Sequence, residues 1–295
     1  MRSISVGFSC NNACVFCAQG NLRNTKPRVP AEEVERLIRQ ALTTHKESLT
    51  FQGGEPTLCP ELAAWVSLAK SLGAEWVVLQ TNGRRLMYPD YAKELAGAGL
   101  DAADVSLHGA SAAMQEYHTN IPGSFLQTLT GLEQARKAGI AVGVTVVVTR
   151  SNFRNLAEIV RLIHARGAQA VHFDIAAPYG KAAQDWPRVV PATEMVLGFL
   201  IEAVGLARQL ALPIKIMQMS TSPDVERFFA GIGEVDPAGA VPYPQSRVLK
   251  DLANLAKPTA GVGETRAAQK KTGEALSEIF PGLFKEPAPE GPARG

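Results

Sequence analysis

The strongest constraint on this chain is a rhythm. Six short runs rich in β-branched residues, Ile4–Ser9, Ser48–Gln52, Trp76–Thr81, Ala103–His108, Ala141–Thr149 and Ala170–Ile175, alternate with helix-length segments. Those segments are Pro30–Lys46, Pro60–Ser71, Pro89–Ala98, Ser124–Ala138 and Asn155–Arg166. A helix with one apolar stripe has to lay it on a neighbour, so the alternation predicts an α/β fold in which helices cover a sheet. Pro30 and Pro60 suit a first helical turn, where no amide hydrogen is needed, and Glu32 and Glu33 complement the positive end of the helix dipole. Gly73, Gly99, Gly139 and Gly167 each close a helical stretch just before a strand, where a left-handed cap is favoured. Strands joined by helices run parallel with right-handed crossovers. That leaves a doubly wound open sheet or a (β/α) barrel, and periodicity alone does not choose between them.

Beyond Ile175 the rhythm changes. Residues 176–190 read as an irregular loop, 191–211 as a long helix and Ile214–Met219 as a short strand. From Ser220 onward Gly and Pro are more frequent, with helix candidates at 246–256 and 264–280. The run from Lys285 has almost no apolar content and is expected to be disordered. The expected organisation is a core at 1–215, a mostly helical or irregular extension at 216–282 that caps it, and a tail at 283–295. A chain of 295 residues, 46% apolar, can fill such a core. Thirty basic against 28 acidic residues, with no basic stripe, argue against nucleic acid as a partner. No window approaches the roughly 18 uninterrupted apolar residues of a membrane span. The serine-broken start, Met1 to Cys10, does not read as a signal peptide, so the expected location is the cytoplasm.

Of four cysteines, Cys10, Cys14 and Cys17 crowd into eight residues directly after the first strand. The loop at a strand's carboxyl end is where sites gather in parallel α/β folds. Three thiolates on one loop without an export signal read as metal ligands, not as a disulfide framework. Soft thiolates select zinc or an iron–sulfur cluster. Zinc would need a fourth ligand, for which Cys59 is the candidate. A four-iron cluster held by three cysteines would keep one iron open for a ligand. Cys59 otherwise reads as a small apolar packing residue.

Cys10-Asn-Asn-Ala-Cys14-Val-Phe16-Cys17 resembles the cysteine loop of the radical S-adenosylmethionine (SAM) superfamily. Further matches follow in order: Gly53-Gly54-Glu55-Pro56 after the second strand, Thr81-Asn82-Gly83 after the third, and Val105-Ser106-Leu107-His108-Gly109 at the end of the fourth. Gly123-Ser124-Phe125 and Val148-Thr149-Arg150-Ser151-Asn152 resemble the branch containing SPASM-type peptide maturases and the molybdenum-cofactor cyclase. The resemblance spans about residues 1–215 and implies a partial (β/α)6 barrel, TIM-like and open on one side, with a [4Fe–4S] cluster and SAM at its top. It implies Cys10, Cys14 and Cys17 as cluster ligands. It also implies reductive cleavage of SAM to a 5′-deoxyadenosyl radical that abstracts hydrogen from a small-molecule or peptide substrate. A flavodoxin or ferredoxin-type protein would donate the electron.

Each motif has a physical reading beside it. Gly53 and Gly54 free the backbone to approach a ligand, Glu55 offers a fixed charge to the SAM ammonium, and Pro56 stiffens the exit. Ser106 and Asn152 suit ribose hydroxyls or the SAM carboxylate, or simply cap turns. Arg150 suits the same carboxylate or a solvated loop position. Asn82 is a ligand contact or a turn former, and Phe16 packs on adenine or cluster or anchors its loop. His108 and His172 end or line strands where they could face the cavity, and a satisfied hydrogen-bonding role is expected for them ahead of a catalytic one. His45 and His164 belong to helix ends, and Met217 and Met219 to the core. No cysteine follows Cys59, so a cysteine-ligated auxiliary cluster is not expected. No winged-helix leader-binding domain is expected ahead of a cysteine loop that begins at residue 10. An RNA-modifying radical enzyme and a non-catalytic iron–sulfur or zinc protein, sensing redox state or binding a partner, are the competing readings.

Overall fold

The computed structural model describes residues 2–26, 28–43 and 48–218. Seven strands form one sheet: β1 Arg2–Ser5, β2 Leu49–Gln52, β3 Val77–Thr81, β4 Ala102–Ser106, β5 Ala141–Val148, β6 Ala170–Ile175 and β7 Ile214–Gln218. They lie in chain order and every neighbouring pair is parallel. A doubly wound sheet reverses its strand order at a switch point, and this one never does. Right-handed crossovers that all step the same way put every helix on the same face, which curls the sheet into a partial barrel. Among the described residues β1 and β7 remain its two edges. Within the run predicted at Ile214–Met219, Ile214–Gln218 thus joins as a seventh parallel strand, one more than the six expected.

Helices α1 Ala31–Thr43, α2 Leu62–Ser71, α3 Pro89–Ala98, α4 Ala112–Thr119, α5 Ser124–Lys137 and α6 Leu156–Ala165 fill the crossovers. Short helices α7 Gly180–Gln184 and α8 Trp186–Val189 stand where the sequence predicts an irregular loop, and α9 Thr193–Gln209 follows. All four helix-ending glycines, Gly73, Gly99, Gly139 and Gly167, have positive φ as expected. Alternate strand residues, among them Ile4, Phe51, Leu79, Val105, Val144 and Phe173, pack with Ile38, Leu132 and Ile159 of the helices into one core. The opposite parity faces the barrel axis and mixes Val78, Ala102 and Val147 with a set of polar residues: Gln52, Gln80, Asp104, Ser106, Thr145 and His172. Barrel interiors filled for stability alone favour branched aliphatic residues. This interior is built for something else.

The helix candidates at 246–256 and 264–280, the capping extension, the tail, His45 and Met219 lie outside the described residues.

Candidate active site

The site starts where β1 stops. The sequence predicts a strand to Ser9, but the ladder ends at Ser5 and the chain runs on beside the exit of β2. The Val6 amide donates to the Gln52 carbonyl (2.9 Å), the Gly54 amide to Gly7 (2.7 Å) and the Glu55 amide to Ser9 (2.7 Å). A Cβ on Gly54 would lie 2.0 Å from the Ser9 oxygen, and one on Gly53 (φ 132°) 2.5 Å from the Gly7 oxygen. The two glycines therefore admit backbone against backbone, where the sequence reading has them approaching a ligand. The amides of Gly54 and Glu55 are spent on this contact.

That contact projects Cys10–Cys17 over the barrel mouth, where α4 and α7 fix it. The Ala13 and Val15 amides donate to the Thr119 and His118 carbonyls at the end of α4 (2.8 and 3.0 Å). The Lys181 amide at the start of α7 donates to the Cys17 carbonyl (2.9 Å). Only glycine fits at 180, since a Cβ there would sit 2.3 Å from that same oxygen.

Cys10, Cys14 and Cys17 are free thiols and only partly buried. Burial pushes Cys10 up to about 11, with the charges of Glu55 and Cys17 adding to it and the Asn12 amide and Arg23 opposing. Cys14 is raised by burial and then by the charges of Cys17 and Cys10. Cys10 and Cys14 both feel the charge of Cys17, so the three sulfurs lie within electrostatic reach of one another. Among the described residues no group of three His, Cys, Asp or Glu converges on a point that could hold a single metal ion. Cys59 instead is buried beside Arg28 and Glu61, so it does not complete a zinc tetrahedron. A four-iron cluster takes cysteine thiolates as its ligands, and this loop offers three.

Glu55 is 2% exposed, and its carboxylate holds two strand exits together. One oxygen accepts from the Thr57 amide (3.1 Å) and hydroxyl (2.7 Å) and from the Thr81 hydroxyl (2.6 Å). The other accepts from the Asn82 amide (2.7 Å). Burial raises its pKa while those four donors pull the other way. Its charge reaches Cys10, as the raised pKa of that thiol records. Pro56 is buried as it opens the short 3-10 turn Pro56–Leu58. Asn82 is a bridge to the cysteine loop: its side-chain amide donates to Asn11 Oδ1 (2.6 Å), and its own Oδ1 accepts from the Arg84 amide (3.0 Å).

The exits of β4 and β5 form the opposite wall. The ring of Phe16 meets His108 edge-on, centroids 4.7 Å apart. His108 Nδ1 accepts the Val147 amide (3.1 Å), so its neutral ring carries the proton on Nε2. Burial, then the charge of His118, pushes its pKa far down. No local pattern in the sequence marks His118. It donates from Nδ1 to the Met114 carbonyl (2.7 Å), and its Nε2 faces the hydroxyls of Thr149 (2.8 Å) and Ser151 (2.9 Å). The signal for its helix was present in Ser111, whose hydroxyl caps α4 by accepting from the Met114 amide (3.3 Å).

Two expected ligand contacts are placed elsewhere. Asn152 is fully buried, donating to the His108 and Val147 carbonyls (both 2.9 Å) and accepting the Thr149 amide (2.7 Å), so it stitches β4 to β5. Arg150 is exposed and donates to the Pro187 carbonyl (2.9 Å), tethering α8. Ser106 stays half-buried at the end of β4, in register with Thr145.

Below the mouth runs a polar chain. Thr145 donates to both oxygens of buried Asp104 (2.7 and 2.9 Å), and His172 Nδ1 lies 3.5 Å from the same hydroxyl. His172 Nε2 lies 3.0 Å from Asp174 Oδ1. Burial and, less strongly, Asp174 raise the Asp104 pKa, against His172 and the Thr145 hydroxyl.

An open parallel barrel with a three-thiol loop at its mouth defines a class. The family model of the radical SAM superfamily matches residues 4–163, more than half of the chain, and the chain belongs to that superfamily of enzymes. The family works with a [4Fe–4S] cluster and SAM. Membership of an enzyme family removes the non-catalytic reading. Among curated relatives, the AdoMet-dependent heme synthase of Oleidesulfovibrio alaskensis is 30% identical over 187 residues, 63% of this chain and 48% of that protein. The GTP 3′,8-cyclase of a Synechococcus strain is 32% identical over 210 residues, 65% of this chain and 60% of its own. The chain thus spans about half the length of the heme synthases it matches. In fold it is similar to Streptococcus suis SuiB bound to S-adenosylmethionine (TM-score 0.61, 15% identity, 74% of this chain and 50% of SuiB). A radical SAM methyltransferase from Sphaerobacter thermophilus gives a TM-score of 0.54 at 20% identity, covering 75% of this chain and 67% of that one. No helix among the described residues is long and apolar enough to cross a membrane.

Proposed function

We propose that Cys10, Cys14 and Cys17 would hold the [4Fe–4S] cluster, leaving its fourth iron for SAM, with Phe16 and Ser106 lining the place SAM would take. The observation that carries this is three free thiols within eight residues on one loop pinned by α4 and α7 at the barrel mouth. With both groups bound, reductive cleavage of SAM supplies a 5′-deoxyadenosyl radical for hydrogen abstraction. The chain's own part is to place and to exclude. Glu55 locks the GGEP turn against the cysteine loop and puts a negative charge near Cys10. Phe16 on His108 closes one wall with apolar surface, which keeps water from a reactive carbon. Asp104, Thr145, His172 and Asp174 form the polar side that a substrate would meet.

A small-molecule or peptide substrate is the reading supported by the relatives. SuiB is known with its precursor peptide SuiA, and the curated relatives are named for haem and GTP chemistry. A flavodoxin or ferredoxin-type protein in the cytoplasm is the electron source. The test is anaerobic reconstitution with iron and sulfide, then dithionite and SAM, with 5′-deoxyadenosine as the product. Wild type should yield it and Cys14→Ala should not. An inactive wild type carrying a full cluster, or an active Cys14→Ala, overturns the assignment.

A further inference from the structure

One peptide unit of the cysteine loop connects a cation to a ligand sulfur. The carbonyl of Asn11 accepts from Arg84 Nη1 at 2.6 Å. The amide at the other end of the same peptide, Asn12 N–H, donates to Cys10 Sγ at 3.4 Å. Arg84 is held in place by its Nε bond to Gln127 (2.6 Å) and by a second Nη1 bond to Asn12 Oδ1 (3.0 Å). Arg23 supports the same stretch from the other side, with Nη1 donating to the carbonyls of Cys10 (2.9 Å) and Asn12. The carbonyls of residues 10, 11 and 12 are thus all turned toward guanidinium groups.

A guanidinium on a carbonyl polarises the peptide and strengthens the N–H at its far end, because hydrogen bonds in a chain reinforce one another. An N–H bonded to a thiolate withdraws electron density from that sulfur. Hydrogen bonds to sulfur and local charge are among the terms that set the potential of an iron–sulfur cluster. On reduction the cluster gains one electron and one negative charge, with no bond broken and no proton taken up. Fixed cations nearby favour the reduced form.

We propose that Arg84, acting through the Asn11–Asn12 peptide, is a positioning residue that weakens electron donation by the Cys10 sulfur and raises the reduction potential of the cluster, with Arg23 as the second cation. The proposal rests on Cys10, Cys14 and Cys17 being the ligands. A purely mechanical clamp would change how much cluster is retained and leave the potential where it was.

The experiment is a redox titration of the reconstituted full chain, read by the electron paramagnetic resonance of the reduced cluster, with iron and sulfide counted in each sample. Arg84→Gln should lower the reduced-to-oxidised ratio at a fixed ambient potential about tenfold, a displacement of about 59 mV to more negative potential. Arg84→Lys, which keeps the charge without the fork, should fall between the two. Equal potentials in wild type and Arg84→Gln at equal iron content overturn the proposal and leave the cluster assignment standing. Failure of wild type to assemble any cluster removes the assignment and the proposal together. Should Arg84→Gln retain no iron, Gln127→Leu decides, since it keeps the cation and loosens its aim: a lowered potential supports the proposal, an unchanged one ends it.

Discussion

Asn82 donates its side-chain amide to Asn11 Oδ1 at 2.6 Å, joining the exit of β3 to the cysteine loop across 71 residues of sequence. The same residue passes its backbone amide to Glu55, so three loops that carry the site meet in one side chain and its peptide. Rigidity at the mouth arises from this junction.

Asn82→Ala is expected to cost about 2 kcal/mol of stability, the usual penalty for losing a buried polar partner. It should also lower the iron retained per chain, since Asn11 adjoins Cys10. Urea denaturation of the cluster-free chain and iron analysis of the reconstituted one check the two halves separately. Unchanged iron retention would show that the loop does not depend on the junction.

Gly54→Ala should be harsher. The added methyl would sit 2.0 Å from the Ser9 oxygen and 2.6 Å from the Phe8 carbonyl carbon, both backbone atoms that cannot rotate away. Overpacking of this kind costs about 3 kcal/mol or more. The added group should force the β1 and β2 exits apart and carry Cys10 with them. Soluble Gly54→Ala of wild-type stability, measured by thermal melting, would show that the two backbones can separate freely.

How far this was readable beforehand differs between levels of structure. Strands and helices follow local periodicity, so β6 and α3 fall where the sequence puts them. β1 ends early because Gly7, at φ 132°, turns the chain out of the ladder, a backbone choice no side-chain pattern records. The cysteine triplet is legible because its ligands are neighbours in sequence. Asn152 and Arg150 look alike in sequence to ligand contacts, yet what each does depends on which carbonyls arrive from β4 and α8. The sequence does not mark His118, because its partners, Thr149 and Ser151, lie more than thirty residues away. The polar lumen is a property of strand register and emerges only when the sheet is assembled.

Acid should test the histidine wall. Burial depresses the pKa of His118, and burial together with the His118 charge depresses that of His108. A depressed histidine leaves the folded state with fewer protons than the unfolded one between its folded value and about 6.5. Their stabilising effect is therefore intact above that pH and is lost as pH falls below it. Glu55 and Asp104, with raised values, act in the opposite sense, so the total slope does not isolate the histidines. The difference between wild type and His118→Gln does. It should shrink as pH falls from 7 to 5, because the depressed His118 takes up its proton less readily in the folded chain than in the unfolded one. A difference that stays constant over that range would mean that His118 titrates normally.

Removing the iron should loosen the mouth and spare the barrel. The cysteine loop is pinned by α4 through Ala13 and Val15, by α7 through Lys181, and by Arg23 and Arg84. None of these contacts involves a metal, and the core beneath is continuous from β1 to β6 without them. Loss of a ligand that binds only the folded state lowers its stability by mass action, and where protein contacts already order the segment the loss is felt locally. Hydrogen exchange after chelation under oxidising conditions should show lost protection confined to residues 10–24 and the start of α7. Far-ultraviolet circular dichroism should hold steady. A collapse of strand protection on iron removal would instead make the cluster part of the folding core, and the several ties on the loop would then be insufficient to explain its order.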